Sequence, residues 1–332
     1  MSVQTANQNS QTSPRQVIDS LLFQYKLHLQ ASNRSPKTVS WYFDMLGDYF
    51  SFLEANNLLK PIEQLGRREL EAYVLHLQSR TTRWEGHPRK NTAQGGLSPF
   101  SIQGHVRAIK PFWSWLYREE HLDDNKLEHF ALPKVPNKHM PTLTPDDVKK
   151  LLSPLDKSLP IDFRNHLIIL MSYDTGVRIS ELVNIKIADM DLLNHTITVL
   201  GKGQKQRYVF ISNVTRKDIK KYIANARPQL CRVSCPYLFA DRNGDPIRPN
   251  CVQQMLKRLA RKAGLEVSVH PHLFRHSYGT ESIANGGDLF AVMETMGHSN
   301  IATTLKYTHQ QPQDLMKKHA KFSPVNSLAN EV

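Results

Sequence analysis

Apolar residues in the first third of the chain recur at helical spacing. From Pro36 toward Leu53, the positions Val39, Tyr42, Phe43, Leu46, Tyr49, Phe50 and Leu53 line one face at intervals of three and four, which predicts an amphipathic helix with that stripe in a core. Ser13-Pro14, Ser35-Pro36 and Ser98-Pro99 each put a capping hydroxyl before a helix-opening proline. Three helices therefore start at these pairs. The last of them carries Ile102, Val106, Ile109, Phe112, Trp113 and Leu116 on one face. "RRELEAYVLHLQ" supplies a further helix, so the first part of the chain reads as a four-helix domain. Between its last two helices, "TTRWEGHPRKNTAQGGL" is polar, basic and Gly-rich, and reads as a long loop.

The helical pattern stops after Leu122, and "LPKVPNKHMPTL" has the prolines and lysines of an extended linker. A second domain opens at "LTPDDVKKLL", with Thr144 as N-cap, Pro145 in the first helical position and two acids in the first turn. "FRNHLIILMSYDTG" predicts a buried helix stopped by Gly176. Then the period changes. "TITVL", "RYVFI" and "YLF" are short β-branched or apolar runs that predict a small antiparallel sheet. Beyond it, "NCVQQMLKRLARKAG", "PHLFRHSYGTESIANG", "DLFAVMETMGH" and "ATTLKYTH" return to helical spacing. The expected boundaries are a disordered tail over 1–12, a helical domain over 13–122, a linker over 123–141, a second domain over 142–325 and a tail over 326–332.

Composition narrows the partner. Among 332 residues, 43 Lys and Arg face 30 Asp and Glu, a formal charge of +13 that favours a polyanion such as nucleic acid. Arg83, Arg89 and Lys90 in the basic loop, with Arg107 and Lys110 on the fourth helix, are candidate contacts to a phosphate backbone, against the simpler reading of a solvated surface. Cys231, Cys235 and Cys251 are an odd number without repeated metal spacing, which reads as reduced thiols in a cytoplasmic protein, against the alternative of a zinc or redox pair at 231 and 235. No run reaches the length of a membrane span, and "MSVQTANQNSQTS" lacks a signal-peptide core.

Three imidazoles and a guanidinium crowd the stretch from His270 to His276 in "HPHLFRHSYGT". A metal would use His272 and His276, one helical turn apart, but Arg275 between them repels a cation and no nearby carboxylate or thiol completes the shell. A phosphate is the better ligand, because His272 and Arg275 align as donors along one turn. A basic surface helix is the bland alternative. Tyr278 reads as packing against the next helix, and His276 as a supporting group.

"TGVRISEL" at 175–182, "GKGQKQR" at 201–207, "HLFRH" at 272–276, "MGHSN" at 296–300 and "YTH" at 307–309 resemble, in order and spacing, the tyrosine recombinase (phage integrase) family, Xer-like and mobile-element integrases included. The resemblance spans nearly the whole chain, since "SNRSPKTVSWYFDML" looks like the start of the family's core-binding domain. It implies a mainly α fold: a helical, SAM-like core-binding domain followed by an α+β catalytic domain of the DNA breaking–rejoining type, with a small antiparallel sheet. It implies that Arg178, Lys202, His272, Arg275 and His298 surround a scissile DNA phosphate, that Tyr307 attacks it, and that Glu181 supports Arg178. His298 stands where the family has His or Trp, and none of the core motifs departs from the pattern.

The chemistry suits those residue types. Attack on a phosphodiester builds charge on its non-bridging oxygens, which fixed guanidinium groups stabilise. Tyr307 needs help to lose its proton, for which His272 is the candidate, and the departing 5′ oxygen needs a proton, for which Lys202 is the candidate and Lys205 a substitute. The resulting 3′-phosphotyrosine conserves the bond energy, so neither metal nor nucleotide cofactor is expected. The expected partners are double-stranded DNA with paired sites and further copies of the chain in a homotetramer, in the cytoplasm on the nucleoid. The amphipathic "QQPQDLMKKHAKF" after Tyr307 reads as a helix packing on a neighbouring protomer or on its own domain. A second recombinase or accessory protein is left open by the sequence. So are two rival functions: a type IB topoisomerase-like relaxing enzyme, and a DNA-binding regulator that has lost the chemistry.

Overall fold

A computed structural model describes residues 13–83, 91–136, 141–201 and 205–297. The chain divides into two compact units, with the boundary at Lys138. The tail at 1–12 and the helices expected after residue 297 lie outside the described residues.

The first unit holds four helices: α1 (Pro14–Ala31), α2 (Pro36–Ala55), α3 (Arg67–Ser79) and α4 (Pro99–Arg118). Ser13, Ser35 and Ser98 each accept a backbone N–H from the first turn, and each is followed by proline, as the sequence predicts. The predicted stripes meet in one core. Leu46, Tyr49, Phe50 and Leu53 of α2 are fully buried with Val106, Ile109, Phe112, Trp113 and Leu116 of α4. Truncating a residue such as Trp113 to alanine would cost about 3–5 kcal/mol.

Two features of this unit were not legible. The stretch between α3 and α4 is not wholly a loop. Thr82–Arg83 (β1) and Ala93–Gln94 (β2) pair antiparallel as a short ribbon, Thr82 opposite Gln94, at its base. Two-residue strands carry too little alternation to be read from a Gly-rich segment. The composition beyond Leu122 reads as linker, yet Leu127 is fully buried in the helical core and the Lys110 ammonium donates to the carbonyls of Glu128 (2.9 Å) and Phe130 (2.7 Å).

In the second unit, Thr144 and Asp147 form a capping box that opens α5 (Pro145–Leu152). Next come α6 (Pro160–Thr175) and the short α7 (Ile179–Val183). A three-stranded antiparallel sheet follows in the order β3 (Met190–Asp191), β4 (Thr196–Leu200), β5 (Gln206–Phe210). Ile197 lies opposite Val209, and both are fully buried. The expectation of a third strand at "YLF" is corrected: Tyr237 makes only an isolated bridge to Lys186. Pro236 has no N–H to extend a ladder, and Leu238 and Phe239 are consecutive and both fully buried, without the alternation of a strand. The third strand is Met190–Asp191, again too short to announce itself.

After the sheet come α8 (Asn213–Lys221), a π-helical turn over Tyr222–Ala226, α9 (Arg227–Leu230), α10 (Pro249–Lys262), α11 (Pro271–Ala284) and α12 (Leu289–Met296). Fully buried α6 residues Leu167, Ile169 and Met171 sit in the same core as Leu256 and Leu259 of α10 and Leu273 and Phe274 of α11. Among the described residues, no helix is long and apolar enough to cross a membrane.

Candidate functional site

The turn that ends α6 sets the first site residue in place. Gly176 adopts the left-handed conformation (φ 58°), and a Cβ there would lie 2.4 Å from the ring of Tyr278. Only glycine satisfies both demands. The reversed chain buries Val177 and makes Arg178 the N-cap of α7. The Arg178 backbone N–H donates to Glu181 Oε2 at 2.8 Å, and its Nη1 donates to Glu181 Oε1 at 2.9 Å. The pairing expected one helical turn apart is therefore present.

Glu181 has a second partner that the sequence analysis missed. Arg207, on β5, donates Nη1 to Oε1 (3.0 Å) and Nη2 to Oε2 (2.7 Å), a two-pronged grip on the carboxylate. Burial alone would raise the Glu181 pKa. The hydrogen bond and charge of Arg207, with the two donors of Arg178, outweigh it and hold the carboxyl below its usual range. The carboxylate is thus charged at neutral pH. A signal for Arg207 did exist: along β5 it shares a face with buried Val209, so this arginine points inward on a short strand.

Three guanidinium groups then converge on the end of α12. The helix stops at Gly297, also left-handed (φ 64°), leaving its last carbonyls without helical partners. Arg207 Nε donates to the Thr295 carbonyl (2.8 Å), Arg275 Nη2 to that of Met296, and Arg178 Nη2 to that of Gly297 (3.2 Å). Arg275 also donates Nη1 to the Gly176 carbonyl (2.9 Å). Cations at a helix C-terminus complement its dipole, so the arrangement is electrostatically favourable before any ligand arrives. Arg275 is 5% exposed, whereas the Arg178 side chain keeps 32% of its surface open. Of the two, Arg178 is the more open to an incoming anion, and Arg275 presents only its edge.

The first turn of α11 sorts the histidine cluster. His270 is the N-cap, its Nδ1 accepting the Leu273 N–H at 3.2 Å, and burial followed by the charges of His272 and Lys257 lowers its pKa. His272 is exposed one turn before buried Arg275, its ring 6.5 Å from that of His270. His276 is half-buried. Tyr278 packs with Ile283, Val292 and Met296, the packing role expected of it, and burial raises its phenol pKa. The structure therefore brings Arg178, Glu181 and Arg275 together and puts His272 on the same helix as Arg275. Lys202, His298 and Tyr307 lie outside the described residues.

Of the candidate DNA contacts, Arg83 is exposed on β1 and donates to the Gln94 carbonyl (3.3 Å), Arg107 is exposed on α4, and Lys110 spends two donors on the carbonyls noted above. Arg89 and Lys90 lie outside the described residues. A further basic surface was missed. Exposed Lys257, Arg258 and Arg261 on α10 join Arg164 of α6 around a cleft of about 550 Å³ that shares no residue with the arginine cluster. Its signal lay in the alternation of buried Leu256 and Leu259 with cations in "NCVQQMLKRLARKAG". Cys231 and Cys235 bring their sulfurs to 3.2 Å, with Arg227 donating to Cys235 Sγ, and among the described residues no three His, Cys, Asp or Glu side chains form a metal site.

The model of the phage integrase family matches residues 141–314. Tyrosine recombinase XerC of Bacillus licheniformis is 30% identical over 295 residues, covering 88% of this chain and 92% of that protein. Tyrosine recombinase XerD of Halalkalibacterium halodurans is 30% identical over 301 residues, covering 90% and 96%. Among solved structures, the Tn1549 transposon integrase in complex with transposon right end DNA shares the fold with a TM-score of 0.70 at 19% identity, over 91% of this chain and 99% of that one. Matched over half its length by the family model and over most of it by these recombinases, the chain belongs to the phage integrase family, the tyrosine-type site-specific recombinases that cleave and rejoin DNA.

Proposed function

We propose that Arg178 and Arg275 bind the non-bridging oxygens of the scissile phosphate, and that Tyr307 attacks its phosphorus. The phenolic proton passes to His272, the P–O5′ bond breaks, and Lys202 protonates the departing 5′ oxygen, leaving a 3′-phosphotyrosine. Glu181 holds Arg178, and His298 donates to the phosphate. A 5′ hydroxyl from a partner strand reverses the step, so one phosphodiester replaces another without metal or nucleotide. The observation that carries the reading is the convergence of Arg178 and Arg275 on adjacent carbonyls of one helix end, with Glu181 charged behind Arg178. Preorganised cations of this kind stabilise developing negative charge without reorganisation.

The chain acts on duplex DNA as a homotetramer that synapses two sites. The solved XerH recombinase bound to its difH substrate and the lambda integrase dimer bound to a core site support DNA as the partner. Arg83, Arg89, Lys90 and Arg107, with the basic face of α10, contact the duplex backbone and grooves, whereas Lys110 is committed to the carbonyls of Glu128 and Phe130. The test is a suicide-substrate assay on a nicked duplex whose arms are selected from a randomised pool by the Tyr307→Phe protein. Wild type should give a denaturant-resistant adduct and Tyr307→Phe none. An undiminished adduct from Tyr307→Phe assigns the nucleophile elsewhere.

A further inference from the structure

Arg207 binds the site from behind at more points than any proposed role yet requires. Its two terminal nitrogens occupy both oxygens of Glu181, the carboxylate that also receives Arg178. Its Nε donates to the Thr295 carbonyl, one residue before the carbonyl taken by Arg275 and two before that taken by Arg178. Its own strand pairs with β4, and just past the end of β4 the Gly201 backbone N–H donates to the Lys205 carbonyl at 2.8 Å. A Cβ at Gly201 would lie 3.3 Å from Arg207 Nη1 and 3.8 Å from Glu181 Oε1, so the backbone at Gly201 rests on this ion pair. With 11% of its side chain exposed, Arg207 has little surface left for a ligand of its own.

We propose that Arg207 is a positioning residue for strand cleavage: through Glu181 it fixes the orientation of Arg178, and through its strand it braces the backbone at Gly201, the residue that precedes Lys202 in sequence. This rests on the reading of Arg178 as a phosphate ligand. The planar fork matters. A guanidinium satisfies both carboxylate oxygens at once, whereas an ammonium is a point charge that leaves the carboxylate free to rotate. Arg207 touches no substrate, so its loss should slow the chemical step with little effect on binding.

The experiment measures single-turnover adduct formation on the selected nicked duplex against DNA concentration. For Arg207→Ala the saturating rate should fall about 10- to 100-fold while the half-saturating DNA concentration moves less than about 3-fold. Arg207→Lys should lose about 5- to 10-fold, and methylguanidinium should restore part of the alanine variant's rate. In a Glu181→Gln background, Arg207→Ala should cost little more, because the two act as one unit. A wild-type saturating rate for Arg207→Ala, or full additivity with Glu181→Gln, overturns the proposal. If Arg207→Ala lacks a cooperative melt, Arg207→Lys decides, and a rate equal to wild type overturns it. Arg178→Ala separates the two readings. If it cleaves normally, the phosphate-ligand role fails; if it is inactive while Arg207→Ala is normal, only the positioning role fails.

Discussion

The guanidinium of Arg178 donates to the carbonyl of Gly297 at 3.2 Å, joining the turn after α6 to the last turn of α12 across a separation of 119 residues. That carbonyl is presented because Gly297 takes φ 64° as the helix C-cap. A Cβ at this position would face strain from the left-handed backbone and lie 3.1 Å from the Arg207 side chain. Gly297→Ala should therefore cost about 1–2 kcal/mol of stability. It should also lower the saturating cleavage rate more than it weakens DNA binding, because the end of α12 and the guanidinium it orients both shift. Thermal melts and the single-turnover assay check the two halves. A wild-type rate would show that the Gly297 carbonyl does not set Arg178.

Much of this was readable beforehand, for a physical reason. Serine–proline pairs and apolar stripes are local signals, and they located α1, α2 and α4 because the same residues that cap or bury are adjacent in sequence. The glycines of "TGVR" and "MGH" were visible as motif letters, but their reason is tertiary: one accommodates Tyr278, the other offers a carbonyl to an arginine on a distant helix. Arg207 was overlooked because its value lies in Glu181, Thr295 and Gly201, none of which is a sequence neighbour within one turn. The misassigned strand at "YLF" shows the same limit, since a short apolar run reads as a strand until its pairing partner is known.

Cleavage should proceed without divalent metal or ATP. In the described part of the site the positive charge comes from arginines, and both oxygens of Glu181 are taken by Arg178 and Arg207 rather than open to a cation. Adduct yield on the suicide substrate should be unchanged by excess chelator. A strict magnesium requirement would mean that the charge on the phosphate is neutralised by a metal ion instead.

Two cations on α4 should behave differently. Arg107 is exposed, so Arg107→Ala should leave stability intact and reduce the slope of log affinity against log salt by about 1, the signature of one lost phosphate contact. Lys110 braces the carbonyls of Glu128 and Phe130. Lys110→Met should chiefly destabilise the first unit, by about 1–2 kcal/mol. Filter-binding titrations across a salt series, with urea unfolding alongside, separate the roles. An unchanged slope for Arg107→Ala would remove it from the DNA contact surface.

The first unit should lose stability in mild acid through His105. Its Nδ1 meets the Tyr73 hydroxyl at 3.0 Å, and burial, then the charge of Arg80, depresses its pKa from 6.5 to about 4. Between these values the unfolded chain binds a proton that the folded unit refuses, so stability is fully present above pH 6.5 and is lost as pH falls toward 4. At pH 5 the loss from this residue should be about 2 kcal/mol. The four tryptophans, Trp41, Trp84, Trp113 and Trp115, all precede the boundary at Lys138, so their emission follows the first unit alone. His105→Gln can keep a hydrogen bond to Tyr73 but cannot titrate. Its urea midpoint should therefore fall less between pH 7 and pH 5 than that of the wild type, while carboxylates such as Glu69 contribute equally to both proteins. Parallel midpoints across that range would mean that His105 takes up its proton without unfolding the helices around it.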